Sequence, residues 1–315
     1  MEIRHFVKNI TEISKRDAKT AGGKGASLGE LIRAKIPVPP GYVLTASAFD
    51  EFMRSARLDQ EIEKRLAAAN FSDLREIEKI SRTIRNLIED ASLPRFMEQE
   101  ISAAFGQLSV KWVAVRSSAT LEDSVSVSWA GELESYLNTT RKELIPNIKK
   151  CWASLYAPRA LIYRREKGLK DVRVSVAVVI QAMVQSEVSG ITFTVHPVTK
   201  DKNQMIIEAC YGLGEYVASG KITPDSYVVS KKDMAIIDVN VSGQVEMLAL
   251  WKGQNLPRPV PEYTRSRQKL DGARIRELAE ICLKVEDHYG FPSDIEWGLE
   301  RGKFYILQAR PITTL

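Results

Sequence analysis

The hydrophobic pattern of this chain changes once, near residue 172. Between Thr45 and Phe105, apolar residues recur at three- and four-residue spacing, which predicts helices. Beyond residue 172 the apolar residues form short β-branched runs, which favour strands: Val174 to Ile180, Ile191 to Val195, Met205 to Ala209 and Tyr227 to Ser230. A helix-rich part followed by a strand-rich part predicts an α+β protein with two lobes, residues 1–182 and 183–315, and a cleft between them.

The composition is that of a globular protein, since 44% of the 315 residues are hydrophobic and 27% are charged. The 45 basic and 40 acidic residues leave a net charge of +5 without a segregated basic face, so we expect no nucleic-acid partner. No apolar run reaches membrane-spanning length and the N-terminus does not resemble a signal peptide, so we expect no membrane association. The three cysteines lie far apart in sequence and indicate free thiols, which predicts a cytoplasmic protein.

Two short motifs have the residue types that bind phosphate. Gly22-Gly23-Lys24-Gly25 would let backbone N–H groups approach phosphate oxygens while Lys24 supplies a positive charge. Arg116-Ser117-Ser118 follows a strand-like run and offers a permanent cation beside two hydroxyls. Neither motif is specific by itself. An ordinary turn explains the first equally well, and an ordinary surface arginine explains the second better.

Three further segments have both a functional and a structural interpretation. Glu122-Asp123 could bind a metal, but paired carboxylates in a loop are usually only solvated. The glycines of Tyr211-Gly-Leu-Gly-Glu215 could admit a ligand close to the backbone or could simply form a tight turn. His196, which precedes Pro197, could carry a phosphoryl group, but a structural role is the better interpretation.

The last two predicted strands form a hairpin that contains the strongest group of candidate residues. Alternation along the strands predicts two polar faces: Asp294, Glu296 and Gly298 on the first strand, and Ile306, Gln308 and Arg310 on the second. If these faces coincide, Glu296 and Gln308 present hard oxygen ligands for Mg²⁺, and Arg310 lies beside them for a phosphoryl group.

The register of this hairpin decides whether those ligands meet. A symmetric two-residue turn at Arg301-Gly302 pairs Glu296 with Leu307, whereas pairing with Gln308 requires a bulge or a three-residue loop. The structural alternative is an exposed polar face on a half-buried hairpin.

Eight segments, in order over the whole chain, together resemble one family. They are Gly22–Glu30, Val38–Gly41, Val115–Thr120, Trp129–Gly131, Gly190–Thr194, Tyr211–Glu215, Asp294–Trp297 and Gln308–Pro311. They are similar to the N-terminal nucleotide-binding domain shared by phosphoenolpyruvate synthase, pyruvate phosphate dikinase and rifampicin phosphotransferase.

The resemblance implies an ATP-grasp fold with ATP held between the two lobes. It implies that Lys24 and Arg116 hold the phosphates and that Arg310 stabilises the charge that moves during transfer, so these three are the predicted catalytic residues. It further implies that Glu296 and Gln308 bind Mg²⁺. The remaining predicted ATP-binding residues are Gly131 and Ser135, on the phosphate and ribose side, and Gln181, beside adenine.

The resemblance also implies a reaction. In a phosphoenolpyruvate synthase-like dikinase, ATP is split to AMP and phosphate, and the β-phosphoryl group passes to a histidine on a swivelling domain and then to pyruvate. This chain, up to Leu315, has no acceptor-histidine motif and no pyruvate site, so we expect it to support only the ATP half-reaction with a histidine domain as partner. The alternatives are the ATP-binding domain of a rifampicin phosphotransferase-like kinase and a non-catalytic nucleotide sensor.

Three departures from the family's pattern leave the subfamily open. The synthases commonly have Leu-Pro after an acidic pair, but Ser124 follows Glu122-Asp123 here. Glu132 occupies a position where glutamine is frequent, and Ser135 one where threonine is frequent. Because Ser135 retains a hydroxyl, ATP binding is still expected.

Overall fold

The computed structural model describes residues 5–120, 133–169, 172 and 174–312. The chain divides into two compact units, which are described separately. Unit 1 comprises residues 1–29 and 40–183, and unit 2 comprises residues 30–39 and 184–315.

Unit 1 combines helices with an antiparallel sheet. Its helices are α1 (Ala18–Arg33, whose last residues are grouped with unit 2), α2 (Ala46–Ser55), α3 (Leu58–Ala67), α4 (Leu74–Asp90), α5 (Arg95–Leu108), α6 (Leu144–Ala153) and α7 (Pro158–Glu166). Its strands are β1 (Val7–Asn9), β2 (Gly41–Leu44), β3 (Val113–Ala119), β4 (Ser135–Thr139) and β5 (Val176–Ala182). Over the described residues the strand order is β1-β2-β5-β3-β4. Short 3₁₀ helices lie at Ile10–Glu12, Lys15–Asp17 and Ser154–Tyr156.

The two faces of this sheet have different neighbours. One face carries Val113, Val115, Val178 and Ile180, which are fully buried in the main core together with apolar residues of α2, α4, α5 and α6. The other face carries the alternate residues, and α1 packs against it. Because alternate residues of a strand point to opposite faces, one strand such as β3 supplies both the core and a second, more polar surface.

Unit 2 contains most of the strands predicted after residue 172. Its strands are β6 (Val188–Phe193), β7 (Gln204–Tyr211), β8 (Asp225–Ser230), β9 (Ile236–Asn240), β10 (Glu246–Trp251), β11 (Gln254–Pro259), β12 (Ser293–Glu300) and β13 (Lys303–Pro311). Its helices are α8 (Glu215–Ala218), α9 (Gly272–Tyr289) and a 3₁₀ helix at Glu262–Thr264. Over the described residues the main sheet has the order β13-β12-β6-β7-β8-β9, and β10 pairs with β11 in a separate ribbon.

The predicted α+β class is confirmed, because each unit combines helices with antiparallel sheet. Ile275, Leu278, Cys282 and Val285 recur at helical spacing, which predicts a helix that ends at Gly290. This helix is α9, and Gly290 is its C-cap. No helix in the described part of the chain has both the length and the apolar character needed to cross a membrane.

The structure differs from the sequence analysis at two places. Residues 30–39 are grouped with unit 2, where Pro37 accepts a hydrogen bond from the backbone of Ile306, although the sequence-based division assigns them to the first lobe. The three prolines at 257, 259 and 261 predict a surface connection, but residues up to Pro259 belong to β11. Prolines two residues apart in an edge strand can both direct their ring nitrogens away from the partner, so they do not interrupt the pairing.

Candidate functional site

The Gly-Gly-Lys loop of unit 1 is a kink within α1. Gly22 has φ of 71° and ψ of 173°, whereas the residues before and after it are helical. A Cβ atom at Gly22 would overlap the side chain and the carbonyl group of Ser118 in β3. Glycine is therefore required here twice, for its positive φ and for the close approach of β3.

Ser118 joins this kink to the end of β3. Its buried hydroxyl donates to the carbonyl of Ala21 at 2.9 Å and accepts from the backbone N–H of Gly25 at 3.2 Å. The first N–H groups of a helix have no partner within the helix, so a hydroxyl from β3 caps the helical segment that follows the kink. The two phosphate-type motifs of the sequence, around Lys24 and Arg116, are thus held against each other.

The register of the sheet places two predicted site residues in one row. Arg116 is paired with Ser135 on β4 and with Val179 on β5, and Val179 is paired with Val43 on β2. A Cβ atom at Gly25 would lie 3.3 Å from Val43 and 3.7 Å from Val179. Since paired residues share a face, Arg116 and Ser135 lie on the face of the sheet against which α1 packs.

Gln181 lies on the same face as Arg116. It is two residues from Val179 along β5, is paired with Ala114 on β3 and is only 2% exposed. Unit 1 therefore brings together the predicted residues Arg116, Ser135 and Gln181 beside the Lys24 loop. Gly131 and the Glu122-Asp123 pair lie outside the described residues.

In unit 2 the register of the last hairpin brings Glu296 opposite Gln308. Arg301-Gly302 forms a two-residue turn, with Glu300 paired to Lys303. The register shifts by one residue between Glu296 and Trp297, so that a bulge restores the pairing of Glu296 with Gln308. Of the two registers that the sequence left open, the hairpin has the one that aligns the two candidate metal ligands.

Because of this bulge, the prediction for Ile306 is wrong. Ile306 was placed on the polar face with Gln308, but it is paired with Trp297 and is fully buried. The extra residue, Leu307, reverses the alternation, because each residue added to a strand moves the following side chains to the other face.

Arg310 forms an ion pair with the residue directly opposite it. Its Nε and Nη2 atoms both donate to Oδ2 of Asp294, at 2.9 Å and 2.7 Å. The paired residues Asp294 and Arg310 form the row next to Glu296 and Gln308 on the same face. Two residues along a strand advance about 7 Å, so the arginine and the candidate metal ligands occupy neighbouring positions.

A third carboxyl group on this face was missed by the sequence analysis. Glu208 on β7 is paired with Ile191 on β6, and Ile191 is paired with Glu296, so Glu208, Glu296 and Gln308 share one row. Burial, together with the nearby charge of Asp294, raises the pKa of the Glu208 carboxyl. Sequence periodicity could not find Glu208, because only the order of the strands brings it to this row.

The Asp294 carboxyl is largely buried and lies beside the charges of Arg310 and Glu296. Burial raises the pKa of the Asp294 carboxyl, Arg310 opposes the shift, and the charge of Glu296 adds to it. Among the described residues, no three His, Cys, Asp or Glu side chains are grouped closely enough to hold a metal ion themselves. The donor set is instead one carboxylate and one amide oxygen, which fits a Mg²⁺ ion that keeps several water or phosphate ligands.

Three other candidates have structural roles. Nδ1 of His196 accepts backbone N–H groups from Val198 and Thr199 at 3.3 Å and 3.2 Å, which caps a turn. Gly212 has φ of 86°, and a Cβ atom there would overlap the carbonyl of Leu248. The three cysteines are free and buried, as predicted.

The side chains in these two sets are of the types that bind phosphate groups and divalent cations in proteins. Residues 18–315 match the model of the family described as pyruvate phosphate dikinase, AMP/ATP-binding domain. The chain therefore belongs to this family of nucleotide-binding domains, as the resemblance in its motifs predicted.

Similar proteins agree with this assignment. A probable phosphoenolpyruvate synthase of Methanocaldococcus jannaschii is 41% identical over 318 residues, which cover 98% of this chain and 27% of that protein. A probable phosphoenolpyruvate synthase of Archaeoglobus fulgidus is 42% identical over 312 residues, which cover 97% of this chain and 41% of that protein. The chain thus spans less than half the length of either relative.

Among solved structures, D-alanyl-alanine synthetase A from Vibrio cholerae matches with a TM-score of 0.39 and 10% identity, covering 92% of this chain and 55% of that chain.

Proposed function

We propose that this chain binds ATP with Mg²⁺ and donates a phosphoryl group, as the ATP-grasp part of a phosphoenolpyruvate synthase-like dikinase. The observation that carries the proposal is the alignment of Glu296 with Gln308 in a hairpin that also positions Arg310. A polar face without a function would not need a bulge that pairs a carboxylate with an amide beside an arginine.

The residues of unit 1 would bind and orient the nucleotide. Lys24 and Arg116 supply fixed positive charge for the phosphates, and the N–H groups after the kink at Gly22 add hydrogen-bond donors. Ser135, in the row of Arg116, would donate a hydrogen bond from its hydroxyl to the phosphate and ribose side of the nucleotide. The backbone at Gly131 would line the same side. Gln181, which is almost fully buried, would hold the adenine edge.

The residues of unit 2 would act on the phosphoryl group that moves. Glu296 and Gln308 would hold Mg²⁺, which supplies charge neutralisation on the phosphate oxygens when it is bound. Arg310 would donate hydrogen bonds to the phosphoryl oxygens as their charge redistributes. Phosphoryl transfer requires mainly positioning and fixed positive charge, which matches residues that include no nucleophile.

The proposed reaction consumes ATP and water and yields AMP, phosphate and a phosphohistidine. The acceptor histidine would belong to a swivelling domain, which would pass the β-phosphoryl group on to pyruvate. The names of the two relatives favour pyruvate over an antibiotic as the final acceptor. We further propose that the protein acts in the cytoplasm, where ATP is available.

Calorimetry with the purified chain tests binding, and AMP formation with an added histidine domain from a synthase relative tests transfer. We expect ATP to bind only with Mg²⁺ present. Arg310→Ala should keep the Kd for ATP within about threefold but slow AMP formation by about 100-fold or more, the usual cost of removing a donor to a developing negative charge. Arg276→Ala, which removes an exposed arginine of α9, is the matched control and should change neither quantity.

Three results would contradict parts of the proposal. Absence of ATP binding would reject it entirely. Binding without any AMP formation would favour the nucleotide sensor. Normal transfer by Arg310→Ala would remove Arg310 from the mechanism.

A further inference from the structure

Unit 1 contains a cavity, the α3–α7 cavity, on the core side of its sheet. Its volume is about 530 Å³, which is within the range of pockets that hold small molecules. Residues of α3 and of α7 line it, and both helices pack against α4. Most of the wall is apolar, and its buried side chains are Phe49, Ile62, Tyr156, Leu161 and Val174.

This cavity is separate from the predicted nucleotide residues of unit 1. Val174 belongs to the main core together with Val176 and Val178 of β5, so the cavity lies on the core face of the sheet. Arg116 and Gln181 lie on the opposite face, against which α1 packs. The function proposed above therefore leaves the cavity without a role.

Arg164 of α7 lines the cavity with a guanidinium that has no carboxylate partner among the residues that the structure describes. Its Nη2 atom donates a hydrogen bond to the carbonyl of Val172 at 3.1 Å, whereas a guanidinium has five N–H donors. The side chain is partly buried, and this burial lowers the pKa of Arg164 while the nearby Tyr156 side chain opposes the shift. Because a partly buried cation without a counter-ion is unfavourable, an anion within hydrogen-bond distance would stabilise it.

Three other charged side chains line the cavity. The guanidinium of Arg165 lies over the ring of Phe71, with 4.9 Å between its Cζ atom and the ring centroid, so it covers an apolar part of the wall. Asp59 and Glu63 belong to α3, on the other side of the cavity from α7. Neither carboxylate contributes to the pKa shift of Arg164, which indicates that both lie away from its guanidinium. These charges favour a ligand whose one anionic group faces α7.

We propose that the α3–α7 cavity binds a monocarboxylic acid with an apolar body, whose carboxylate accepts hydrogen bonds from Arg164. A planar guanidinium can donate two parallel hydrogen bonds to a carboxylate. The carboxylate brings one negative charge, which Arg164 balances, whereas a phosphate monoester would bring about two. The apolar wall would bury the body of the ligand. This site does not depend on the binding of a nucleotide.

Calorimetry of the chain without nucleotide or metal tests the site, with octanoate as the probe and 1-octanol as its uncharged analogue. We expect octanoate to bind at a single site with a Kd of about 1 mM or lower, and more tightly than octanol, because only octanoate can pair with Arg164. Arg164→Gln removes the charge and should raise the Kd for octanoate about tenfold, the usual size of a hydrogen bond to a charged group. It should change the Kd for octanol by less than about threefold.

Two further variants locate the bound molecule. Ala67 lines the cavity from the exposed end of α3, so Ala67→Trp places a large side chain there without replacing a buried residue. It should weaken the binding of octanoate and of octanol by a similar factor. Lys167→Gln is the matched control, since it removes an exposed cation that follows α7 but lies outside the cavity wall. It should leave both Kd values within about twofold.

The results decide the proposal. The same Kd for octanoate in Arg164→Gln and in the unmodified chain would overturn it. Unchanged binding in Ala67→Trp would overturn it too, because the molecule would then bind elsewhere, and so would absence of octanoate binding to the unmodified chain. Thermal unfolding identifies any variant that does not fold. If Arg164→Gln is one of them, the preference for octanoate over octanol and the effect of Ala67→Trp still decide.

Discussion

The two sets of candidate residues are positioned by different kinds of interaction. In unit 1 the Lys24 loop is held by close backbone contact and by the neutral hydroxyl of Ser118, both buried in the protein. In unit 2 the hairpin holds charged groups in rows on a partly exposed face, and these groups include the ion pair of Asp294 and Arg310. In unit 1 the contacts that place the loop therefore also stabilise the fold, whereas the candidate residues of unit 2 are placed largely by charge.

This difference predicts how the two units respond to substitution. Neutral, fully buried contacts cost free energy of unfolding when they are broken, since the groups left behind have no water to bind. Charges on a partly exposed face cost less stability but respond to pH and to bound ions.

The largest expected effect is that of Gly22→Ala in unit 1. The substitution adds a Cβ atom where the backbone of Ser118 lies and imposes a positive φ on alanine. We expect the free energy of unfolding to fall by more than about 3 kcal/mol, since an overpacked core contact and an unfavourable φ add together. Urea denaturation measures it.

Gly168→Ala is the matched control for Gly22→Ala. Gly168 also has a positive φ, of 66°, but no atom lies within 4 Å of a Cβ atom placed there. Its substitution should cost only about 1–2 kcal/mol, the price of the left-handed conformation. Equal costs for the two variants would mean that the approach of β3 to the kink contributes nothing.

The next largest effect is expected for Ser118→Ala. Ser117 and Ser118 are neighbours on β3 whose side chains point to opposite faces of the sheet. Ser118→Ala leaves the carbonyl of Ala21 and the N–H of Gly25 without the hydroxyl that joins them, and should cost about 1–3 kcal/mol. It should also raise the Kd for ATP about tenfold, equivalent to 1.4 kcal/mol, because the Lys24 loop is no longer held against β3.

Ser117→Ala is the control for Ser118→Ala. The Ser117 hydroxyl donates to the carbonyl of Glu134 at 2.6 Å and lies on the core side of the sheet. Its loss should also reduce stability, by about 1 kcal/mol, but should leave the Kd for ATP within about twofold. A larger change in ATP affinity for Ser117→Ala than for Ser118→Ala would reject the role of Ser118 in placing the loop.

Much of the fold could be predicted from the sequence, because its signals are local. The spacing of apolar residues predicted α4 and α9, and β-branched runs predicted β5, β6, β7 and β8. The sequence also predicted the candidate residues of the final hairpin. It left two registers open, because it does not show whether the hairpin contains a bulge. The buried pairing of Trp297 with Ile306 accompanies that bulge, and strand alternation alone does not predict this pairing.

What could not be predicted is what long-range pairing brings together. Ser118 and Ala21 are 97 positions apart, so neither motif alone indicates that the hydroxyl of one holds the loop of the other. Glu208 reaches the row of Glu296 only because β6 lies between β7 and β12. The roles of the individual site residues are still predictions, because they depend on how each residue contacts a ligand.

The smallest expected effect compares the pH dependence of stability at one carboxylate from each unit, in the absence of nucleotide and metal. Burial and the charge of Asp294 raise the pKa of Glu208, so in the folded protein its protonated form is favoured. The charged form of Glu208 therefore lowers the free energy of unfolding. This loss is absent below the unfolded pKa of about 4.3 and is complete above the higher pKa of the folded state. Glu208→Gln should raise the free energy of unfolding near neutral pH, by less than about 1 kcal/mol, and the gain should vanish in acid.

Glu143 of unit 1 should show the opposite sign. Hydrogen bonds from the hydroxyl and the backbone N–H of Thr140 lower the pKa of Glu143, so its charged form stabilises the folded state above the unfolded pKa. Glu143→Gln should therefore lower the free energy of unfolding near neutral pH, and its effect should shrink as the pH falls through the folded pKa. Urea denaturation of both variants along a pH series measures the two slopes. If the slopes have the same sign, the opposite pKa shifts of Glu208 and Glu143 are wrong, and with them the electrostatic contrast between the two units.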